Sequence, residues 1–386
     1  MPNRFDQPIG RKGSGCFKYD ALNLIYGRDD LLPLWVADMD FAVSDEISSA
    51  LAERLQHPVF GYNLRLDSFY EALQLWQQKR FNWETKREWV IATPGIVPAI
   101  ALCLQCFTEP GDSVLIQTPV YTPFHTTVTD HNRQLLCSAL HNDNGVYSID
   151  WDDFERKISL AKLFILCNPH NPVGRVWSKE ELSKMGELCR KHKVIVFSDE
   201  IHEDLIYPGF RHIPFASLED FAQFSITGVS PAKSFNVAGL ATAVALVPNA
   251  ELRDKLNAIN NRMALYMGNS FGIAAFVAAY SQSENWLNKL LQYLAGNRDF
   301  IMQFIKDQLP EIILSPIEGT YLAWMDFRAW QLDDNSLQDI MVNKARLALE
   351  PGIKYGIEGS GFMRLNFGCP LSTLEEALQR IKDMHK

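Results

Sequence analysis

Residues 161–200 read AKLFILCNPHNPVGRVWSKEELSKMGELCRKHKVIVFSDE. The first run, AKLFILC, is apolar on both faces, and so is KVIVFS near the end, as strands buried under two layers are. Between them, SKEELSKMGELCRKHK has a helical pattern, with Ser178 placed as N-cap and Glu181 three residues on to complete a capping box. Two Asn-Pro steps and a glycine at 168–174 force an irregular turn after the first run. Strand, turn, helix and strand in this order predict an α/β fold with a mostly parallel sheet between helical layers.

The same rhythm extends from Val90 to Pro248. Further strand-like runs are VIATPG, SVLIQTPVY, RQLLCSAL, FSITGVS and ATAVALVP. Beyond about Ser281 the pattern changes to a long amphipathic helix (ENWLNKLLQYLAGNRDFIMQFIKDQL), strand-like TYLAWMDF and FMRLNFG, and a closing helix STLEEALQRIKDMHK. A chain of 386 residues is long for one core, since domains run roughly 100–200 residues. The expected division is a large domain at 41–280, a smaller α+β domain at 281–386, and an N-terminal segment at 1–40 joining the small domain at the site entrance.

Composition excludes several classes. With 37 basic and 46 acidic residues the net charge is −9, which lacks the basic excess a nucleic-acid surface needs. No apolar run approaches the ~20 residues of a membrane span, and MPNRFDQPIGRKGSG has no apolar core of the secretory kind. Seven scattered cysteines suit a reducing, cytoplasmic setting without a disulfide framework. Cys103 and Cys106 lie in the apolar stretch IALCLQCF, without the turn or second pair that a redox or metal site requires; they read as buried helical residues, and no metal is expected.

Chemistry-bearing residues gather at the carboxyl ends of the strand-like runs, where open α/β sheets bind ligands: Gly95, Tyr121, Asn171, Asp199, Ser230 and Lys233. Asp199 closes VIVFS and reads either as a functional carboxylate or as a helix cap. Lys233 is the one cation in SITGVSPAKSFNVAGL; an amine held among apolar groups stays neutral more readily and condenses with an aldehyde, whereas the bland reading is a surface lysine. IATPGIVPAIALCL is a strand, glycine turn and helix whose first amides can hold an anion. Arg364 stands alone in the apolar MRLNFG, suited to fork onto a carboxylate or to a structural salt bridge.

The N-P-x-N-P-x-G, D-E-x-x and S-x-x-K blocks in this order resemble the fold type I pyridoxal-5′-phosphate (PLP) enzymes of the class I/II aminotransferase superfamily, aspartate aminotransferase-like in fold, over nearly the whole chain. Within them, WVADMDF at 35–41, FGY at 60–62, PVYTPF at 119–124, CNPHNPVGRVW at 167–177, SDEIHEDL at 198–205 and SPAKSFNVAGL at 230–240 are similar to the MalY/PatB group of cystathionine β-lyase-type C–S lyases. The resemblance implies catalytic roles for Lys233, bonded to the PLP aldehyde, and for Asp199, paired with the ring nitrogen. It implies that Asn171 donates to the cofactor's phenolic oxygen, with His202 on the same side, and that Tyr121 stacks on the ring. Gly95, Ile96, Val97 and Ser230 would hold the phosphate, and Arg364 the substrate carboxylate, with Ala37 and Asn171 also facing the substrate. Tyr62 would reach the cofactor of a neighbouring subunit, making the site the property of a homodimer.

One position departs from the wider superfamily: Ala241 stands eight residues after the lysine, where many aminotransferases carry a phosphate-clamping arginine. The implied reaction is β-elimination of a cysteine S-conjugate such as cystathionine, giving a thiol, pyruvate and ammonia. Transamination of an aromatic or aliphatic amino acid, and a regulatory protein binding a partner, remain open. The substrate side-chain pocket is expected around Met39 to Phe41.

Overall fold

The computed structural model describes residues 3–384. Its central sheet has eight strands in the spatial order Val90–Thr93, Ala243–Leu246, Ser225–Val229, Ile195–Asp199, Leu163–Cys167, Ser113–Thr118, Gln134–Asp143 and Val146–Ile149. The five strands from Ser225–Val229 to Gln134–Asp143 are mutually parallel. Ala243–Leu246 is antiparallel to both its neighbours, and Val146–Ile149 is antiparallel to Gln134–Asp143. Every residue of Leu163–Cys167, Ser225–Val229 and Ala243–Leu246 is buried, as double helical cover demands.

The helix Lys179–His192 forms as its sequence predicts. Ser178 accepts the Glu181 amide while Glu181 accepts the Ser178 amide, satisfying two donors that a helix start leaves free. Cys103 and Cys106 both lie on Ile96–Phe107, but only Cys103 is buried; Cys106 is half-buried at the helix margin.

A second, antiparallel sheet has four strands in the order Ile313–Leu314, Leu322–Asp326, Phe362–Asn366 and Glu350–Pro351. The helices Glu284–Gln308 and Leu371–Met384 accompany it, the last two residues of the sequence's closing helix lying outside the described residues. The N-terminal segment is tied to this region, because Leu32–Pro33 pairs in parallel with Leu347–Ala348. The largest apolar core joins Leu34, Met39 and Phe41 to Phe276, Leu290, Met325 and Leu365. The segment after Leu34 therefore passes between the carboxyl ends of the central strands and the second sheet.

Candidate active site

A cavity of about 220 Å³ opens at the carboxyl ends of the central strands. Of the residues singled out in the sequence, Ala37, Gly95, Ile96, Val97, Tyr121, Asn171, Asp199, His202, Ser230 and Lys233 line it. Each lies just past a strand or on the segment that crosses the strand ends, so topology brings together positions spread over some two hundred residues.

Lys233 follows Ser230, the N-cap of the short helix Pro231–Ser234. Its amine donates to the Ala37 carbonyl at 2.6 Å. Burial first, then the nearby Arg364 cation, lower its pKa to about 8, against the opposing pull of Asp38 and Asp199. The surface-lysine reading is thereby excluded. Asp199 accepts the Ile201 amide at 3.1 Å, so it also serves as the local turn cap. Burial pushes its pKa up to about 7, the Ile201 bond and Lys233 opposing. A buried carboxylate held this high lacks a full counter-charge, and a protonated ring nitrogen in the cavity would supply one.

Arg364, on Phe362–Asn366, is buried behind Asn171. It donates to Asn171 Oδ1 at 3.1 Å and to the Trp35 carbonyl at 2.6 Å, while its Nε has no partner. Among the described residues no carboxylate lies within ion-pair distance of it, which removes the structural salt bridge as its explanation. The bond to Arg364 commits the Asn171 carbonyl and leaves its Nδ2 as the donor. His202 is buried with Nδ1 unpartnered, its ring edge-on to Tyr321 at 5.9 Å between centroids. Burial, with the charges of Lys233 and Arg364, pushes its pKa well below the usual histidine range, so the imidazole is neutral.

At the opposite end of the cavity the helix Ile96–Phe107 starts at Gly95 without a side-chain cap. Pro98 has no N–H, so the Ile96 and Val97 amides are the free first-turn donors. Ser230 reaches this end, but its hydroxyl donates to the Thr242 carbonyl at 2.8 Å and accepts the Ala232 amide. Thr242 and Ala241 also line the cavity; Thr242, beside the position lacking arginine, was missed in the sequence because a lone hydroxyl after a loop carries no pattern.

The chain belongs to the class I and II aminotransferase family. The model of that family, "Aminotransferase class I and II", matches residues 29–381. The chain is 45% identical to cystathionine beta-lyase PatB of Bacillus subtilis, with 98% of each chain covered. It is 34% identical to protein MalY of Escherichia coli over 97% of this chain and 96% of the relative. Cystalysin from Treponema denticola, solved with pyridoxal 5′-phosphate, superposes with a TM-score of 0.96 at 33% identity, covering 100% of this chain and 99% of that one. The aminotransferase-family fold is thus as the sequence motifs indicated.

The residues of this family member fit the cofactor the resemblance implies: uncapped amides for a phosphate, a buried amine for an aldehyde, and a partner-seeking carboxyl for a ring nitrogen. One expectation about the pocket changes. Met39 and Phe41 do not line the cavity; they are buried in the core and border a neighbouring cavity with Arg11 and Asp38. Tyr62 lies outside the cavity of its own chain and is 95% exposed. Behind Asp199, Glu200, Glu203 and His212 come close enough to share an ion. The Glu200 oxygens are already taken by Ser198, the Phe215 amide and His212, which makes the group a packed polar network.

If Arg364 seats a carboxylate, Arg364→Ala lowers kcat/KM about 10- to 100-fold, mainly through KM, as loss of a charge-assisted hydrogen-bond pair does. Steady-state kinetics at fixed cofactor checks this; an unchanged kcat/KM removes Arg364 from the site.

Proposed function

We propose that the protein is a PLP-dependent carbon–sulfur lyase, releasing a thiol, pyruvate and ammonia from cysteine S-conjugates such as cystathionine. The observation that carries the reading is a buried amine (Lys233) bonded to Ala37 and a buried guanidinium without a carboxylate partner (Arg364) bonded to Asn171, both acceptors being residues that line the cavity. Together they recognise an α-amino acid. Elimination rather than transamination is supported by the likeness to cystathionine beta-lyase PatB over nearly the whole length.

PLP held by Lys233, Asp199 and the Ile96 and Val97 amides would supply an electron sink for the pair left at Cα. Arg364 and Asn171 orient the substrate so that its Cα–H faces Lys233. With a pKa near 8, Lys233 has a substantial neutral fraction at neutral pH and takes the Cα proton. Asp199 keeps the ring nitrogen protonated by placing negative charge beside it in a low-dielectric setting. The β-thiolate then departs with the C–S bonding pair, a feasible leaving group because thiol pKa values are about 8.5, while the Cα pair forms the Cα=Cβ bond; water hydrolyses the released enamine to pyruvate and ammonia.

A homodimer with shared sites also belongs to this reading. Val59, Phe60, Tyr62, Leu64 and Leu66 are all more than half exposed on one irregular segment, a surface suited to cover by a second copy. The free state of all seven cysteines accords with a cytoplasmic location, and no described helix is long and apolar enough to cross a membrane.

The deciding experiment feeds the PLP-loaded protein a panel of S-substituted cysteines and cystathionine, following thiol and pyruvate, with amino-group exchange to a keto acid measured in parallel. Pyruvate and thiol without keto acid support the lyase. Turnover that depends on keto acid, with no thiol released, sinks it.

A further inference from the structure

The Ala37 carbonyl is a shared acceptor. Lys233 donates to it at 2.6 Å and the Tyr321 hydroxyl at 2.8 Å. Tyr321 is 1% exposed, does not line the cavity and directly precedes the fully buried strand Leu322–Asp326, so it passes for a core aromatic. Two features argue otherwise.

First, Ala37 sits on a strap that is fixed from several directions. The Asn366 side chain donates to the Val36 and Asp38 carbonyls. Asn236, three residues beyond Lys233, exchanges hydrogen bonds with Met39 and donates to the Phe41 carbonyl. Arg11 pairs with Asp38 and Asp40, and the buried Lys18 pairs with Asp40. The carbonyl is therefore a fixed point and not a loop that follows the lysine.

Second, the backbone aiming Tyr321 is strained. Thr320 has φ +69°, a region β-branched residues rarely adopt. Three bonds hold it there: its amide to Leu205 O at 2.7 Å, its carbonyl from the Tyr207 hydroxyl at 2.7 Å, and its hydroxyl from the Leu322 amide at 3.2 Å. A turn so over-determined presents the Tyr321 hydroxyl to one oxygen.

We propose that Tyr321 is a positioning residue for the reacting amine: by sharing the Ala37 carbonyl it weakens that oxygen's hold on Lys233, leaving the amine free to turn to the reacting carbon. The assignment rests on Lys233 being the reacting amine of the lyase reading. A carbonyl with two donors is a poorer acceptor for each, and an ammonium gains more from a strong acceptor than a neutral amine does. Removing the phenol hydroxyl therefore favours the parked, charged lysine. The other groups facing this amine are Arg364 from Phe362–Asn366, Asp38 from the strap, Asp199 at its strand end and His202 in the following turn. None of them is altered by Tyr321→Phe.

The test titrates Lys233 in the cofactor-free full-length chain by its rate of acetylation with acetic anhydride across pH, read by peptide mass spectrometry. Wild type is compared with Tyr321→Phe and with Ser225→Ala, which loses a buried hydroxyl–carbonyl bond at the amino end of Ser225–Val229, away from the amine. Tyr321→Phe is expected to move the curve up by roughly half a pH unit, a fraction of one hydrogen bond, and Ser225→Ala to leave it in place. In the PLP-loaded enzyme the same Tyr321 variant should lower kcat for thiol release about threefold at pH 7 with KM little changed, matching the smaller neutral fraction. A Tyr321→Phe curve superimposed on wild type overturns the proposal, as does an equal shift in Ser225→Ala. Because labelling needs no substrate, a wild-type protein that releases no thiol would count against the lyase reading while leaving this test intact.

Discussion

Lys233→Ala is expected to leave a folded chain that shows no absorption band of lysine-bonded cofactor and whose thiol release falls by roughly four orders of magnitude, the upper range for loss of a general base. The amine is buried, placed 2.6 Å from a fixed carbonyl and held near pKa 8; among the described residues lining the cavity it is the sole amine. The deletion should also reveal itself without cofactor. A lysine with a folded pKa of about 8 against 10.5 when exposed binds fewer protons folded than unfolded between those values. Its burial therefore destabilises the chain most below pH 8, and the penalty fades as pH rises through 10.5. Cofactor-free Lys233→Ala should melt above wild type at pH 7, with the gap closing above pH 10. A retained covalent band in the variant contradicts the lysine assignment.

The second large effect belongs to Asp199→Asn. The amide keeps the shape and cannot balance a protonated ring nitrogen. Removing one preorganised charge from a water-excluded site lowers kcat about 10²- to 10³-fold, with PLP still bound through its phosphate and Lys233. The linkage has the opposite direction to that of the lysine. A carboxyl with a folded pKa of about 7 against 3.8 holds its proton longer in the folded chain. It stabilises none of the ionised state: as pH rises from 3.8 through 7, wild type loses stability that the asparagine variant keeps. Melting curves of the two cofactor-free proteins should diverge over that interval. A kcat near that of wild type would refute the role given to Asp199.

Much of this site was legible because its parts follow strands, and strands are legible from apolar runs. SDEIH and SPAKS advertise a carboxyl and an amine at strand ends, and the sheet delivers both to one cavity. Arg364 was visible as a cation out of place in an apolar strand. The rest depended on backbone atoms. Ala37 matters through a carbonyl that no side-chain pattern encodes, and Tyr321 reads as packing until the turn at Thr320 aims it. Met39 and Phe41 were placed in the pocket since their block adjoins it, but the chain bends at 36–38 and again at 40–41, and these two side chains enter the core. Ser230 supplies a hydroxyl whose proton is engaged by Thr242, a contact between segments that composition cannot foretell.

The ties that hold the strap have a consequence for biosynthesis. The bond from Arg364 to Trp35 spans 329 positions, and that from Asn366 to Val36 spans 330. A nascent chain can complete its central strands long before these late residues leave the ribosome. Until then the carbonyls at 35 and 36 lack their partners, while 38 to 41 are already tied to Arg11, Lys18 and Asn236. A prematurely terminated product could thus capture the vitamin while remaining unable to hold an amino acid against it, so competence arrives only with the final tenth of translation.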